Sequence, residues 1–149
     1  MNVEIKSDAI IEIADLLDSG MKCFYHIPTG EVESHPDDSQ DYVDLDEEIW
    51  QEVIDKVESD YKNYIKFEKM DSRESFQIME NYVETIDDKN IQQRLEDAIR
   101  FRKPFQNFNQ MLENFPDLRE KWFKYKDDYY RKYVVEQLDI YNQLQSDEE

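Results

Sequence analysis

Apolar residues recur at intervals of three and four along most of the second half of the chain, and this spacing predicts helices. Each predicted helix follows a residue that suits a helix start, either an acid that caps the first N–H groups or a first-turn proline. The expected starts are Asp71 with Glu74 in capping-box spacing, Asp87 or Asp88, Pro104, and Pro116 or Asp117. The pattern therefore predicts a helical second half.

The first part of the chain mixes helical and strand-like patterns. Ser7 is the expected N-cap of a short amphipathic helix, and Gly20 suits its left-handed end. Residues 21–27 and 31–35 have strand character and flank the sequence PTG at 28–30. Because proline presets the first turn residue and glycine accepts a positive φ, this arrangement predicts a β-hairpin.

The segments after the hairpin complete the predicted architecture. Residues 36–46 form an acidic stretch without periodicity, and Asp44 is the expected cap of the helix that follows it. The alternating segment 64–68 predicts a third strand. We therefore predict an α+β fold, with a three-stranded antiparallel sheet made of the hairpin plus one strand, and five or six helices, mostly C-terminal. The length favours one domain over 1–145 with a frayed acidic tail at 146–149.

Composition narrows the class of protein. The chain has 37 acids against 18 bases, a formal net charge of -19, but 39% of its residues are hydrophobic and 13% aromatic, enough for a folded core. No apolar run approaches the length of a membrane span, and the first residues are acidic where a signal peptide is basic. With a single cysteine, Cys23, the cytosol is the expected location. The net charge disfavours polyanions and favours basic partners.

The charge is distributed unevenly along the chain. Residues 1–60 hold three bases and 18 acids, whereas residues 61–149 hold 15 bases and 19 acids. Within the second part, residues 100–132 carry nine bases against five acids, interleaved with aromatic rings. Such a segment can contact nucleic acid by stacking, pack internally with its bases neutralised by the acidic first part, or bind a protein partner. Of these alternatives, internal packing is favoured, because the rings recur at helical spacing.

Few residues could carry catalytic or metal chemistry. Cys23, His26 and His35 are the only cysteine and histidines, and on a strand Cys23 and His26 point to opposite faces. His35 could face Cys23 if the hairpin loop has three residues. We interpret the three as a partly buried thiol and two surface histidines. The acidic stretch lacks the glycine of a calcium loop, and no phosphate-binding glycine motif occurs, so we expect no cofactor, no metal and no enzymatic activity.

Four short motifs carry a resemblance to a known family. They are TGEV at 29–32, MENY at 79–82, RKPFQNF at 102–108 and WF at 122–123. With the order of elements, they resemble a bacterial uncharacterised protein family, number 158 in the uncharacterised series, over about 7–141. The resemblance implies an α+β fold and no known activity. The chain departs from it at Phe101, where glycine is expected, and at Gln106 and Asn107, where bases are expected, so an anion-binding role of that turn is weaker here.

These observations favour a non-catalytic cytosolic protein-interaction or regulatory module. We expect the partner to be another protein rather than nucleic acid or a membrane, and the net charge favours a basic one. The expected partner-binding residues are Arg102, Lys103, Trp122, Tyr125 and Tyr129. The alternative is a nucleic-acid mimic, which would use the surplus carboxylates, or a weak nucleic-acid binder acting through residues 100–132.

Overall fold

Helices dominate the computed structural model, which describes residues 2–36 and 47–148. Within these residues the six helices are α1 (Ser7–Asp18), α2 (Glu47–Ser59), α3 (Ser72–Glu84), α4 (Lys89–Arg100), α5 (Pro104–Leu112) and α6 (Pro116–Glu148). The three strands are β1 (Met21–His26), β2 (Val32–Pro36) and β3 (Tyr64–Phe67), and a 3-10 turn covers Tyr61–Asn63. The predicted α+β class is confirmed. The predicted acidic stretch after Pro36, with its Asp44 cap, lies outside the described residues.

Local capping residues explain where most helices begin. The side chain of Asp71 accepts a hydrogen bond from the Glu74 N–H at 2.8 Å, and Asp88 accepts one from the Asn90 N–H at 2.9 Å. The cap predicted at Ser7 is wrong. The carbonyl of Lys6 already accepts the first helical bonds, so Ser7 is the first residue of α1 and the cap lies one position earlier.

The sheet has the order β2-β1-β3, and both pairings are antiparallel. The hairpin loop spans residues 27–30, because the His26 N–H donates to the Glu31 carbonyl and Gly30 takes a φ of 76°. This loop is one residue longer than the loop that would place His35 opposite Cys23. His35 therefore pairs with Lys22, and Cys23 pairs with Ser34.

The chain divides into two compact units. Unit 1 comprises Met1–Lys69 and Tyr130–Glu149, and unit 2 comprises Met70–Tyr129. The most buried residues of unit 1 include Ile13, Leu17, Phe67 and Val134, and those of unit 2 include Met79, Leu95, Phe108 and Leu112. Helix α6 contributes its first part to unit 2 and its remainder to unit 1, and it includes most of the predicted tail. One domain over 1–145 stays a prediction.

Two amide side chains on the last part of α6 bind the backbone of unit 1. Gln137 accepts from the Glu68 N–H at 3.1 Å and donates to the Glu68 carbonyl at 3.2 Å. Asn142 makes the same pair of bonds with Val3, at 2.9 and 3.0 Å. Each amide thus satisfies both backbone groups of one residue, as a neighbouring strand would.

Candidate functional site

The predicted aromatic partner-binding residues lie in a cluster of rings in unit 2. The Trp122 ring packs 5.3 Å from Tyr82 and 5.1 Å from Phe108, measured between ring centroids. Tyr125 lies 5.2 Å from Tyr82 and 5.1 Å from Tyr129. Trp122 is only 7% exposed, and Tyr125 and Tyr129 are half-buried. The helical spacing of these rings therefore reflects packing, and Trp122 has little surface left for a partner.

Hydrogen bonds hold the tyrosines of this cluster in place. The Tyr82 hydroxyl donates to the Leu118 carbonyl at 2.6 Å, which connects α3 to the start of α6. Burial, followed by the hydrogen bond with Tyr129, raises the pKa of Tyr125 to about 12. The Tyr125 hydroxyl therefore stays protonated at neutral pH, as expected of a structural cluster.

One exposed part of the basic aromatic segment lies at the turn between α4 and α5. The Phe101 side chain is 68% exposed, and Phe105 is 40% exposed, with its ring in edge contact with Phe76. Arg102 and Lys103, two of the predicted partner-binding residues, are exposed between these rings. We name Phe101, Arg102, Lys103 and Phe105, with the groove described below, the α4–α5 surface. Large exposed rings beside bases are typical of contact surfaces.

This turn is held by its own hydrogen bonds. Lys103 adopts the left-handed conformation with a φ of 59°, and Pro104 then opens α5. The Asn107 side-chain amide donates to the carbonyls of Ala98 and Arg102, at 3.1 and 2.9 Å. The Asn107 side chain thus caps the end of α4, a position where many helices have glycine. Its two hydrogen bonds hold the backbone of the turn next to the exposed Phe101. Sequence analysis singled out Asn107 only as a departure from the family pattern.

A shallow groove runs beside Phe101 between α4 and α5. One section, about 320 Å³ in volume, is lined by Arg94, Asp97, Ala98, Phe101 and Met111. The adjoining section, about 330 Å³, shares Ala98 and Met111 and adds the amides Asn107, Gln110 and Asn114. The residues that the two sections share, Ala98 and Met111, are apolar. The groove can therefore accept an apolar side chain, and its polar edges can contact the polar groups next to that side chain.

The charge at this surface differs from that of the whole chain. Residues 98–112 contain three bases, Arg100, Arg102 and Lys103, and no acid. None of these three bases forms an ion pair within the parts of the chain that the structure describes. Neutralisation of these three bases by the acidic residues 37–46, which lie outside the described residues, stays a prediction. Within the described residues their charge is available to a partner.

A second exposed ring lies on the first part of α6. The Arg119 guanidinium lies 5.1 Å from the Phe123 ring centroid, and the Lys126 ammonium lies 5.6 Å from it. Phe123 is 41% exposed. Because a cation over a ring face stabilises both groups, Phe123 already has favourable contacts within the chain. Phe101 is the ring with fewer such contacts.

Comparison with known proteins identifies the family. The model of the Uncharacterised protein family (UPF0158) matches residues 39–148. The chain belongs to this family. A curated member, UPF0158 protein PA5073 of Pseudomonas aeruginosa, is 20% identical over 83 residues, which cover 56% of this chain and 54% of the relative. The match thus spans about half of that relative's length, and no solved structure matches the chain.

The UPF0158 match includes all of unit 2, and with it the α4–α5 surface. It does not include the hairpin, so the TGEV motif at 29–32 lies outside the matched residues although the resemblance was placed over about 7–141. Among the described residues, no helix is both long enough and apolar enough to cross a membrane.

The cysteine and histidines lie in unit 1 and are more buried than expected. Cys23 is fully buried, and burial together with the nearby Glu12 raises the pKa of its thiol to about 12. His35 is 7% exposed and stacks on Phe24, so its interpretation as a surface histidine is wrong. No group of three metal-ligating side chains occurs within 2–36 and 47–148.

His26 is likewise no surface histidine. Its side chain is 16% exposed, and both ring nitrogens have partners, Thr29 in the hairpin loop and Asp60 after α2. Sequence analysis missed this contact because 34 residues separate His26 from Asp60, and no local spacing reports such a pair.

Proposed function

We propose that this chain is a non-catalytic cytosolic interaction module whose α4–α5 surface binds an acidic segment of another protein. The observation that carries the proposal is the exposure of Phe101 within 15 residues, 98–112, that hold three bases and no acid. An exposed ring gives apolar contact area, and the bases next to it, which form no ion pair among the described residues, give charge complementarity.

The local charge outweighs the net charge at contact distance. At physiological ionic strength interactions between exposed charges decay over about 8 Å, so a docked segment responds mainly to the bases beside it. Arg100 and Arg102 flank Phe101 directly in the chain, and Lys103 follows them. An acidic segment is therefore attracted by the bases at this surface.

The groove favours a protein segment over nucleic acid. Its floor of Ala98 and Met111 is apolar and lies beside Phe101, which suits an apolar side chain flanked by carboxylates. Nucleic-acid binding requires a basic track that follows several phosphates, and this surface supplies three bases. The expectation of a basic partner rested on the net charge of the whole chain and stays a prediction.

Fluorescence anisotropy tests this proposal directly. The probe is a labelled peptide with one phenylalanine flanked by glutamates, and its controls are the same peptide with glutamines and a labelled single-stranded oligonucleotide. We expect the acidic peptide to bind, and the variant F101A/R102A to weaken its affinity by at least about tenfold.

A matched control variant is available in unit 1. Tyr61 is 66% exposed and precedes Lys62, so Y61A/K62A removes a ring and a base of the same kind at another surface. This variant should bind the acidic peptide as tightly as the unaltered protein does. Equal loss in both variants, or tighter binding of the oligonucleotide than of the acidic peptide, would overturn the proposal, and the second result would favour the nucleic-acid alternative.

A further inference from the structure

A hydroxyl, an imidazole and a carboxylate are aligned in unit 1. The His26 Nδ1 lies 2.7 Å from the Thr29 Oγ1, and the His26 Nε2 lies 3.0 Å from the Asp60 Oδ2. The Asp60 Oδ1 accepts a further bond from the Asn63 amide at 2.7 Å. The hairpin loop brings Thr29 to its own strand, and the 3-10 turn after α2 supplies Asp60 and Asn63.

The partners determine the direction of each hydrogen bond. The hydrogen bonds from His26 and then from Asn63 lower the pKa of Asp60, so its side chain is an ionised acceptor at neutral pH. The His26 Nε2 must therefore carry the proton that it donates to Asp60. In the neutral ring Nδ1 then has only a lone pair, and the Thr29 hydroxyl donates to it.

The Thr29 hydroxyl is accessible to solvent, whereas the His26 ring is shielded. Thr29 is exposed in the loop, whereas the His26 ring packs 4.7 Å from the Tyr64 ring. The Glu31 N–H donates to the Thr29 Oγ1 at 3.3 Å, which stabilises negative charge developing on that oxygen as its proton leaves. An incoming reagent can thus reach Oγ1 while the base keeps its orientation.

We propose that Thr29 is an acyl-acceptor site, at which the hydroxyl takes an acyl group from an activated ester or thioester. This inference concerns unit 1 and goes beyond the proposed interaction at the α4–α5 surface. Oγ1 forms a bond to the acyl carbon, and its proton passes to the His26 Nδ1. The bond from the acyl carbon to the leaving oxygen or sulfur breaks, and His26 then returns the proton to the leaving group.

Asp60 acts as a positioning residue in this reaction, since it holds the ring tautomer and balances the charge of the transient imidazolium. The product is an ester of Thr29, a single covalent modification rather than a turnover. Glu31 and Glu33 share one nearby cation, Lys56, at 3.7 and 2.7 Å. The remaining negative charge disfavours anionic donors, so the acyl donor should be neutral or cationic.

The full chain is tested with p-nitrophenyl acetate, a neutral activated ester. We expect a burst of p-nitrophenolate of about one equivalent and mass spectrometry to place one acetyl group on the peptide that contains Thr29. The variant Thr29→Val removes the hydroxyl at nearly constant volume and should abolish that label. Thr29→Ser should keep it, and His26→Gln should slow the burst by at least about tenfold.

Further variants separate chemistry from folding. Asp60→Asn should slow labelling without moving the label from Thr29, a result that loss of a merely structural contact does not produce. Circular dichroism of each variant checks that the fold persists. Equal bursts in the unaltered protein, T29V and H26Q, or acetylation confined to lysines, would overturn the inference. Either result leaves the peptide experiment on F101A/R102A unaffected.

Discussion

Unit 1 and unit 2 differ in how their charges are used. Unit 1 holds 24 acids and 8 bases, whereas unit 2 holds 13 acids and 10 bases. In the acid-rich unit, Lys56 pairs with Glu31 and Glu33, and Lys66 pairs with Glu68. In the nearly balanced unit, the bases of the α4–α5 surface have no ion-pair partner among the described residues. Local pairing, rather than net charge, therefore decides which bases can meet a partner.

The two units can be compared most strongly through their cores, where substitutions should have the largest effect on the free energy of unfolding. Phe67 in unit 1 is fully buried, and Phe108 in unit 2 is 1% exposed. Truncation of either ring to alanine should lower the free energy of unfolding by about 3–5 kcal/mol, because it removes apolar contacts and leaves a cavity. Thermal unfolding followed by far- and near-ultraviolet circular dichroism measures the loss.

The same measurement tests the predicted single domain. If residues 1–145 form one domain, both variants show one transition that coincides by the two probes. Two separate transitions, with Phe67→Ala shifting one and Phe108→Ala the other, would contradict the prediction.

Asp88→Ala changes unit 2 at a single helix start. The Asp88 side chain accepts from the N–H groups of Asn90 and Ile91, at 2.9 and 3.2 Å. Loss of this cap should cost about 1 kcal/mol of unfolding free energy, measured by urea titration. Asp87→Ala is the matched control, since Asp87 does not cap the helix, and it should cost less. An equal cost for both variants would show that charge at the helix start, rather than the cap, matters.

Lys103→Gly should separate stability from binding at the α4–α5 surface. The left-handed φ of 59° costs a residue with a Cβ atom about 1–2 kcal/mol, and glycine avoids this cost. Glycine also has greater conformational entropy in the unfolded chain, which offsets part of the stabilisation. We expect a net stabilisation of about 0.5–1 kcal/mol in urea titration. The acidic peptide should bind more weakly, because one base is lost. Destabilisation by this variant would show that the left-handed conformation of Lys103 carries no such cost.

Asp60→Asn tests the charged contact of unit 1 through its pH dependence. The pKa of Asp60 is lowered in the folded chain from its ordinary 3.8, so its stabilising contribution is present above that value. The contribution is lost as the pH falls through the lower folded pKa. The difference in Tm between the unaltered protein and the variant should be largest at pH 6–7 and should shrink below about pH 4. A constant Tm difference across this pH range would contradict a stabilising contribution from the ionised Asp60.

Sequence periodicity was a good guide to the elements and a poor guide to exposure. The capping acids Asp71 and Asp88 and the proline at Pro104 were placed correctly, because helix starts depend on neighbours within a few residues. The same periodicity could not distinguish Trp122, which is buried among rings, from Phe101, which is exposed. Both are rings in a basic segment, and only packing distinguishes them.

The nucleic-acid mimic, the first version of the alternative function, rests on the surplus of carboxylates over the whole chain. Nothing in the structure or the comparisons tests it, so the mimic stays a prediction. The experiment for it is competition for a basic nucleic-acid-binding protein, in which the chain should displace nucleic acid if its carboxylates imitate phosphates.

The sequence by itself determined the α+β class, the hairpin, the helical second half and the family, because these depend on short-range spacing, turn residues and motifs. Only the tertiary structure decided the register of the hairpin, the burial of Cys23 and His35, and the lack of ion pairs at Arg102 and Lys103 among the described residues. It alone brought His26 to Asp60. These features depend on distances between residues far apart in the chain, and a one-residue change in a loop is enough to alter them.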